Sequence, residues 1–194
     1  MSLGKQAKIL SKQQQDAVLA YLKTTRHPER NRVIFLLSAR AGLRAKEIAF
    51  LTWDMLCDAS NELSDAISLQ DVAAKGRSGG VIWLNKELKD ALIEYRKSLK
   101  NELHTGRVIR VRKREVTAQM IVNLFWNWYK RLGFNGCSSH SGRRTFITSA
   151  AKKISTVGGS IRDVQLLARH SSLQMTQRYI EADVDAQKRV VQII

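Results

Sequence analysis

The stretch "ERNRVIFLLSARAGLRAKEI", residues 29–48, decides how the chain folds. Its centre, Val33-Ile34-Phe35-Leu36-Leu37, is too densely apolar for one face of a surface helix. It predicts a buried helix from about Glu29 to Ala41, stopped by Gly42, which tolerates the left-handed backbone of a helix end. A second short helix restarts at Ala45. Upstream, Ser11 with Gln14 three residues later makes a capping box, and Ala17, Val18, Tyr21 and Leu22 continue it as an apolar stripe. His27-Pro28 breaks that helix before the central one begins.

Downstream the pattern changes. Between Leu51 and Leu84 the chain offers short β-prone pieces around Trp53 to Cys57, Ala66 to Ala73 and Gly79 to Leu84. The turn from Lys75 to Gly80 joins the last two as a hairpin. Asn85 then caps a helix carrying Leu88, Leu92, Tyr95 and Leu99 on one face. "RVIRVRKRE", residues 107–115, has five basic side chains in nine positions and reads equally as a solvated connector or a contact to a nucleic-acid backbone. A helix from about Thr117 to Leu132 follows, closed by Gly133. Its aromatics could stack on bases, but Ile121, Leu124, Phe125, Trp128 and Leu132 recur at helical spacing, which favours core packing. Further helices are expected from the HSGRR motif at 140 to about Lys153, near Ile161 to Ala168, near Leu173 to Glu181, and at the C-terminal end.

Charge narrows the function. The 33 Lys and Arg against 17 Asp and Glu leave +16, which favours a polyanionic partner. No run of about 18 apolar residues could span a bilayer, and no N-terminal apolar signal segment is visible, so a soluble cytoplasmic protein is expected. Cys57 and Cys137 lie far apart and read as reduced thiols. Cys137 and His140 form half of a zinc site on paper, without a second closely spaced pair to complete it. No cluster of carboxylates suggests a magnesium nuclease.

"SSHSGRRTFIT", residues 138–148, sets His140 three residues before Arg143, close enough on a helix to share one anion. Arg144 points elsewhere and is either a phosphate contact or a plain surface charge. Taken in order, "AGLRAKEI" (41–48), the hairpin lysine Lys75, "HSGR" (140–143), "RHSS" (169–172) and Tyr179 form a series that resembles the catalytic domain of the tyrosine recombinase, or phage integrase, family. The resemblance runs from about Leu10 to Ile180. It implies a mainly α-helical α+β fold: a helical bundle with a small three-stranded antiparallel sheet.

The resemblance also implies a chemistry. It places the family's catalytic positions on Arg44, Lys75, His140, Arg143, His170 and Tyr179, with Glu47 as a support beside the first arginine. Arg44 and Arg143 would hold charge on a pentavalent phosphorus with planar, permanently protonated forks, and His170 would add a donor. His140 would assist proton movement at Tyr179, since a phenol with an ordinary pKa of roughly 10 is mostly protonated at neutral pH. Lys75 would protonate the departing 5′-oxygen, leaving a 3′-phosphotyrosyl link that needs neither metal, cofactor nor ATP to religate. Arg169 departs from the family, which usually has glycine before this histidine for backbone reasons.

The expected function is that of a site-specific recombinase acting on double-stranded DNA in a prokaryotic cell, with no membrane partner, as a homotetramer on DNA and a monomer without it. A type IB topoisomerase-like nicking-closing enzyme and a non-catalytic basic DNA-binding module are the alternatives. The chain reads as a single catalytic domain, 1–194, without the N-terminal core-binding domain that family members usually carry. Val184, Val190, Val191, Ile193 and Ile194 give the C-terminal tail an apolar edge that docks either on its own body or on a neighbouring subunit.

Overall fold

The computed structural model describes residues 7–71, 79–99, 104–111, 114–180 and 190–192. The chain divides into two compact units, Met1–Phe146 and Ile147–Ile194. The boundary falls within one helix.

The first unit is built around the apolar run. Helix α2 (Pro28–Ala41) buries Val33 through Leu37 completely, each at 0% exposure, and packs against α1 (Lys12–Lys23) and α4 (Lys86–Ser98). Each such side chain contributes roughly 1.5–3 kcal/mol on burial, so this helix dominates the core. Pro28 starts it and Gly42 ends it at φ 65°. In α1 the capping box forms in both directions: Ser11 Oγ accepts the Gln14 amide at 3.1 Å, and Gln14 Oε1 accepts the Ser11 amide at 3.0 Å. Asn85 caps α4 on the Leu88 amide at 2.9 Å. Helix α3 (Ala45–Phe50) packs against α5 (Ala118–Arg131), which buries Ile121, Phe125, Trp128 and Tyr129. Leu124 and Leu132 are half-buried, so the helix faces the core as its spacing implies.

The β structure is antiparallel, but two expectations need correction. Strands β1 (Ala66–Leu69) and β2 (Gly80–Trp83) pair Ala66 with Trp83 and Leu69 with Gly80. The third strand expected at Trp53 to Cys57 is instead a 3₁₀ turn, Trp53–Met55, flanked by isolated bridges Thr52–Arg107 and Cys57–Leu63. Met55 and Leu56 are adjacent and both buried, which the period-two alternation of a strand cannot give. Trp53 is held in that turn by stacking on Tyr95 at 6.4 Å.

The basic stretch at 107–115 is also more than a connector. Val108 and Ile109 are core residues, and β3 (Arg110–Val111) pairs with β4 (Arg114–Glu115). Its charges are partly used within the fold: the Arg107 guanidinium lies over the Phe50 ring at 3.9 Å and donates to the Ala49 carbonyl.

The second unit continues α6 (Ser141–Lys153) into a 3₁₀ turn, Ile154–Val157, then α7 (Ile161–Ala168) and α8 (Leu173–Gln177). Ser160 and Asp163 form a capping box at the start of α7, which packs against α8. Helix α8 stops at Gln177, short of the expected Glu181, which lies outside the described residues. Residues 190–192 are helical with Val190 and Val191 exposed; Val184, Ile193 and Ile194 lie outside the described residues. No helix among the described residues is long and apolar enough to cross a membrane.

Tyr129 carries a testable oddity. Its hydroxyl is buried with no hydrogen-bond partner among the described residues, and burial pushes the phenol well above its ordinary range. Its ring packs between Phe125 and Phe134. Tyr129→Phe is expected to leave urea-unfolding stability unchanged or raise it by about 1 kcal/mol, because it removes an unsatisfied polar group without removing ring contacts. A loss of stability on that substitution would mean that the hydroxyl has a partner.

Candidate active site

Within the first unit, two arginines far apart in sequence meet at one turn. Arg44 is the N-cap of α3, and its backbone amide and Nη1 both donate to the Glu47 carboxylate, at 2.8 and 2.9 Å. The Glu47 side chain is fully buried, while that of Arg44 keeps 20% of its surface exposed. Glu47 thus holds Arg44 at its backbone amide and at one guanidinium nitrogen, while part of the arginine side chain stays open to solvent. Two residues earlier, the Gly42 carbonyl accepts Arg143 Nη1 at 2.6 Å. Arg143 is 2% exposed. The turn at residues 42–44 is therefore the point where the two arginine-bearing segments join.

Two glycines make this approach possible. At Gly42 the backbone is left-handed, and a Cβ would lie 2.6 Å from the Phe146 ring. At Gly142, between His140 and Arg143, a Cβ would lie 2.4 Å from Ser38 Oγ and 2.9 Å from Ser38 Cβ. The glycine of the HSGR motif therefore lets the first turn of α6 lie directly on α2. His140, just before that turn, is exposed; its carbonyl accepts the Arg144 amide at 2.9 Å.

Arg144 has a role that neither sequence reading anticipates. Half-buried, it donates from Nη1 to the Ala7 carbonyl at 3.1 Å, and the next residue, Thr145, accepts the Leu10 amide at 2.9 Å. These two contacts hold residues 7–10 against α6. The basic character of Arg144 gives no sign of this contact in the sequence, because the Ala7 carbonyl lies far away along the chain. Lys75 lies outside the described residues.

In the second unit, His170 and Tyr179 stand together. Their rings stack with centroids 5.1 Å apart at 29°. His170 is 6% exposed, and its Nδ1 lies 3.0 Å from Thr176 Oγ1. Tyr179 sits in the turn just beyond α8 and not within a helix. Its amide donates to the Thr176 carbonyl at 2.9 Å, and its own carbonyl accepts the Thr148 hydroxyl at 2.9 Å. Thr176 is completely buried and touches both residues, a position that the sequence reading did not single out.

The departure at Arg169 resolves into a geometry. Arg169 is the C-cap of α7 at φ 52°, ψ 47°, the left-handed conformation that glycine adopts without penalty. A side chain there costs about 1–2 kcal/mol, and the chain bears it in order to turn sharply into His170. The turn is held by the Gln165 side chain, which donates to the His170 carbonyl at 2.9 Å.

The phage integrase family model matches residues 8–186. Solved structures with the same fold include XerA recombinase, at 20% identity and TM-score 0.73 over 95% of this chain and 64% of that one. The Tn1549 transposon integrase, in complex with a circular intermediate DNA, matches at 19% identity and TM-score 0.73 over 100% of this chain and 68% of that one. XerH site-specific recombinase, bound to a palindromic difH substrate, matches at 18% and 0.73 over 99% of this chain and 54% of that one. The chain thus spans a little over half to about two thirds of their lengths. No curated protein matches significantly.

Gly142→Ala tests the close approach of α6 to α2. It is expected to lower stability by about 2 kcal/mol through overpacking, with part of the loss recovered in the double variant with Ser38→Gly. Chemical denaturation of the two variants measures both. Equal stability of Gly142→Ala and the parent would contradict the packing.

Proposed function

The chain belongs to the phage integrase family, and from that premise we propose that it is a site-specific DNA recombinase working through a tyrosyl–phosphate intermediate. The observation that carries this reading is the setting of Tyr179. Its ring lies against a nearly buried histidine, and its main chain is tethered at both amide and carbonyl. A surface tyrosine without a task needs none of this.

In the proposed reaction, Tyr179 Oη attacks the scissile phosphorus, the bond to the 5′-oxygen breaks, and a 3′-phosphotyrosyl ester and a 5′-hydroxyl result. Arg44, Arg143 and His170 stabilise the extra charge on the non-bridging oxygens. His140 assists loss of the phenolic proton, and Lys75 gives a proton to the leaving oxygen. The reverse attack by a new 5′-hydroxyl rejoins the strand. One phosphoester bond is exchanged for another, so rejoining requires no ATP.

The net charge of +16 supports a DNA partner, and XerH and the Tn1549 integrase were solved on DNA. We assign this chain the same partner, with a homotetramer as the strand-exchanging assembly, a monomer off DNA and the cytoplasm of a prokaryote as its setting. Its role within the family is that of the catalytic domain. Because phosphate contacts release counterions, binding is expected to weaken steeply as salt rises, and a shallow slope of log affinity against log salt would argue against backbone contact.

A nicked suicide substrate, incubated in EDTA, tests the chemistry. The parent protein is expected to form a covalent DNA adduct and Tyr179→Phe none; an adduct in the variant would refute the nucleophile. Thr176 is assigned as a positioning residue for His170. Thr176→Val is expected to slow adduct formation by about 10- to 100-fold and alter its pH profile, with Thr176→Ser restoring both. An unchanged pH profile in the valine variant would reduce Thr176 to a packing role.

A further inference from the structure

At the other end of α2 from Gly42, a cavity of about 920 Å³ opens in the first unit between the start of that helix, the β3–β4 hairpin and α5. Its volume falls within the range of small-molecule sites, roughly 300–1,000 Å³. Val116, Met120 and Leu124 supply apolar wall, and Arg26, Arg30 and Arg114 supply positive charge.

Arg30 is the unusual member. It is only 9% exposed, and among the described residues no carboxylate lies within ion-pairing distance of it. Its partners are neutral. Nε and Nη2 share Asn31 Oδ1, at 3.1 and 2.9 Å, and Nη1 reaches the Arg110 carbonyl only at 3.5 Å, the limit of a hydrogen bond. A guanidinium has five N–H donors, so these contacts leave capacity at the Nη end. A buried charge without a counter-charge is costly, and proteins normally pair it. The one carboxylate in the lining, Glu115, pairs instead with Arg107 at 3.6 Å. His27, also in the lining, is pushed below its usual pKa by burial and then by Arg30 and Arg26, against a smaller opposing pull from Glu29.

We propose that this cavity binds a small amphipathic carboxylate, with its apolar body against Val116, Met120 and Leu124 and its carboxylate on the Nη edge of Arg30. The planar carboxylate fits the guanidinium fork, and the exposed Arg26 and Arg114 add attraction at the rim. A DNA phosphate would reach the two rim arginines equally well, but it has no use for an apolar wall and cannot bury itself against Arg30. A purely apolar ligand would leave Arg30 without its counter-charge.

Octanoate is the probe, titrated into the full chain by calorimetry and thermal shift, with octanol, octylammonium and inorganic phosphate as controls. One saturable site is expected, with octanol and octylammonium at least about 10-fold weaker and phosphate without effect. Arg30→Met should weaken octanoate by about the same factor. Because Arg30 is buried and its replacement could unfold the unit, Met120→Trp, at a partly exposed wall position, is the second variant; it should block binding while circular dichroism stays unchanged. Equal binding of octanol, binding of phosphate alone, displacement of octanoate by a short DNA duplex, or indifference to Met120→Trp would each overturn the assignment. None of these outcomes depends on whether Tyr179 is a nucleophile.

Discussion

The first unit turns on the hydrogen bond from Arg143 to the Gly42 carbonyl. A buried guanidinium is held by a main-chain oxygen that is available only because the central helix ends in a left-handed glycine. That end sets where α3 begins, hence where Arg44 stands, and Glu47 then holds its amide and guanidinium. The same contact joins α6 to α2, with Gly142 removing the side chain that would keep them apart. Fold and candidate chemistry thus share one constraint: the two helices must touch closely enough for a guanidinium on one to donate to the carbonyl that ends the other.

The second unit follows a different logic. His170 and Tyr179 are positioned by short-range contacts through Thr176, Thr148 and Gln165, all of them neutral hydrogen bonds. The strained backbone at Arg169 is the local cost of presenting His170 after a tight turn. Two of these bonds, from Thr148 and Gln165, go to the carbonyls of Tyr179 and His170, so they fix the path of the main chain; Thr176 alone of the three meets the imidazole itself.

Much of this was legible in the sequence where the signal is local. Ser11–Gln14, Asn85–Leu88 and Gly42 announce helix ends through chemistry contained within four residues, and the run from Val33 to Leu37 announces burial by density alone. Signals that depend on distant partners misled or stayed silent. Trp53 to Cys57 looks like a strand because alternation over three residues cannot distinguish it from a turn whose fourth residue is also buried. The hairpin of β3 and β4 hid under its charges, and Arg144 could not reveal that it donates to the carbonyl of Ala7. At Arg169 the sequence located the anomaly, but only coordinates could say that an arginine occupies the left-handed region. Thr176 was invisible as a supporting residue because threonine before a turn is commonplace.

The two hydrogen bonds that tether residue 179 grip its peptide groups and leave its side chain to the stacking on His170. Thr148 and Thr176 would seat any residue with a backbone N–H there in the same register, since both bonds are to the main chain. The main-chain hold is in that sense generic, and only the stacking on His170 reads the side chain it carries. Designers could load it with a cysteine, a serine or an unnatural phenol and compare leaving-group preferences on an unaltered scaffold.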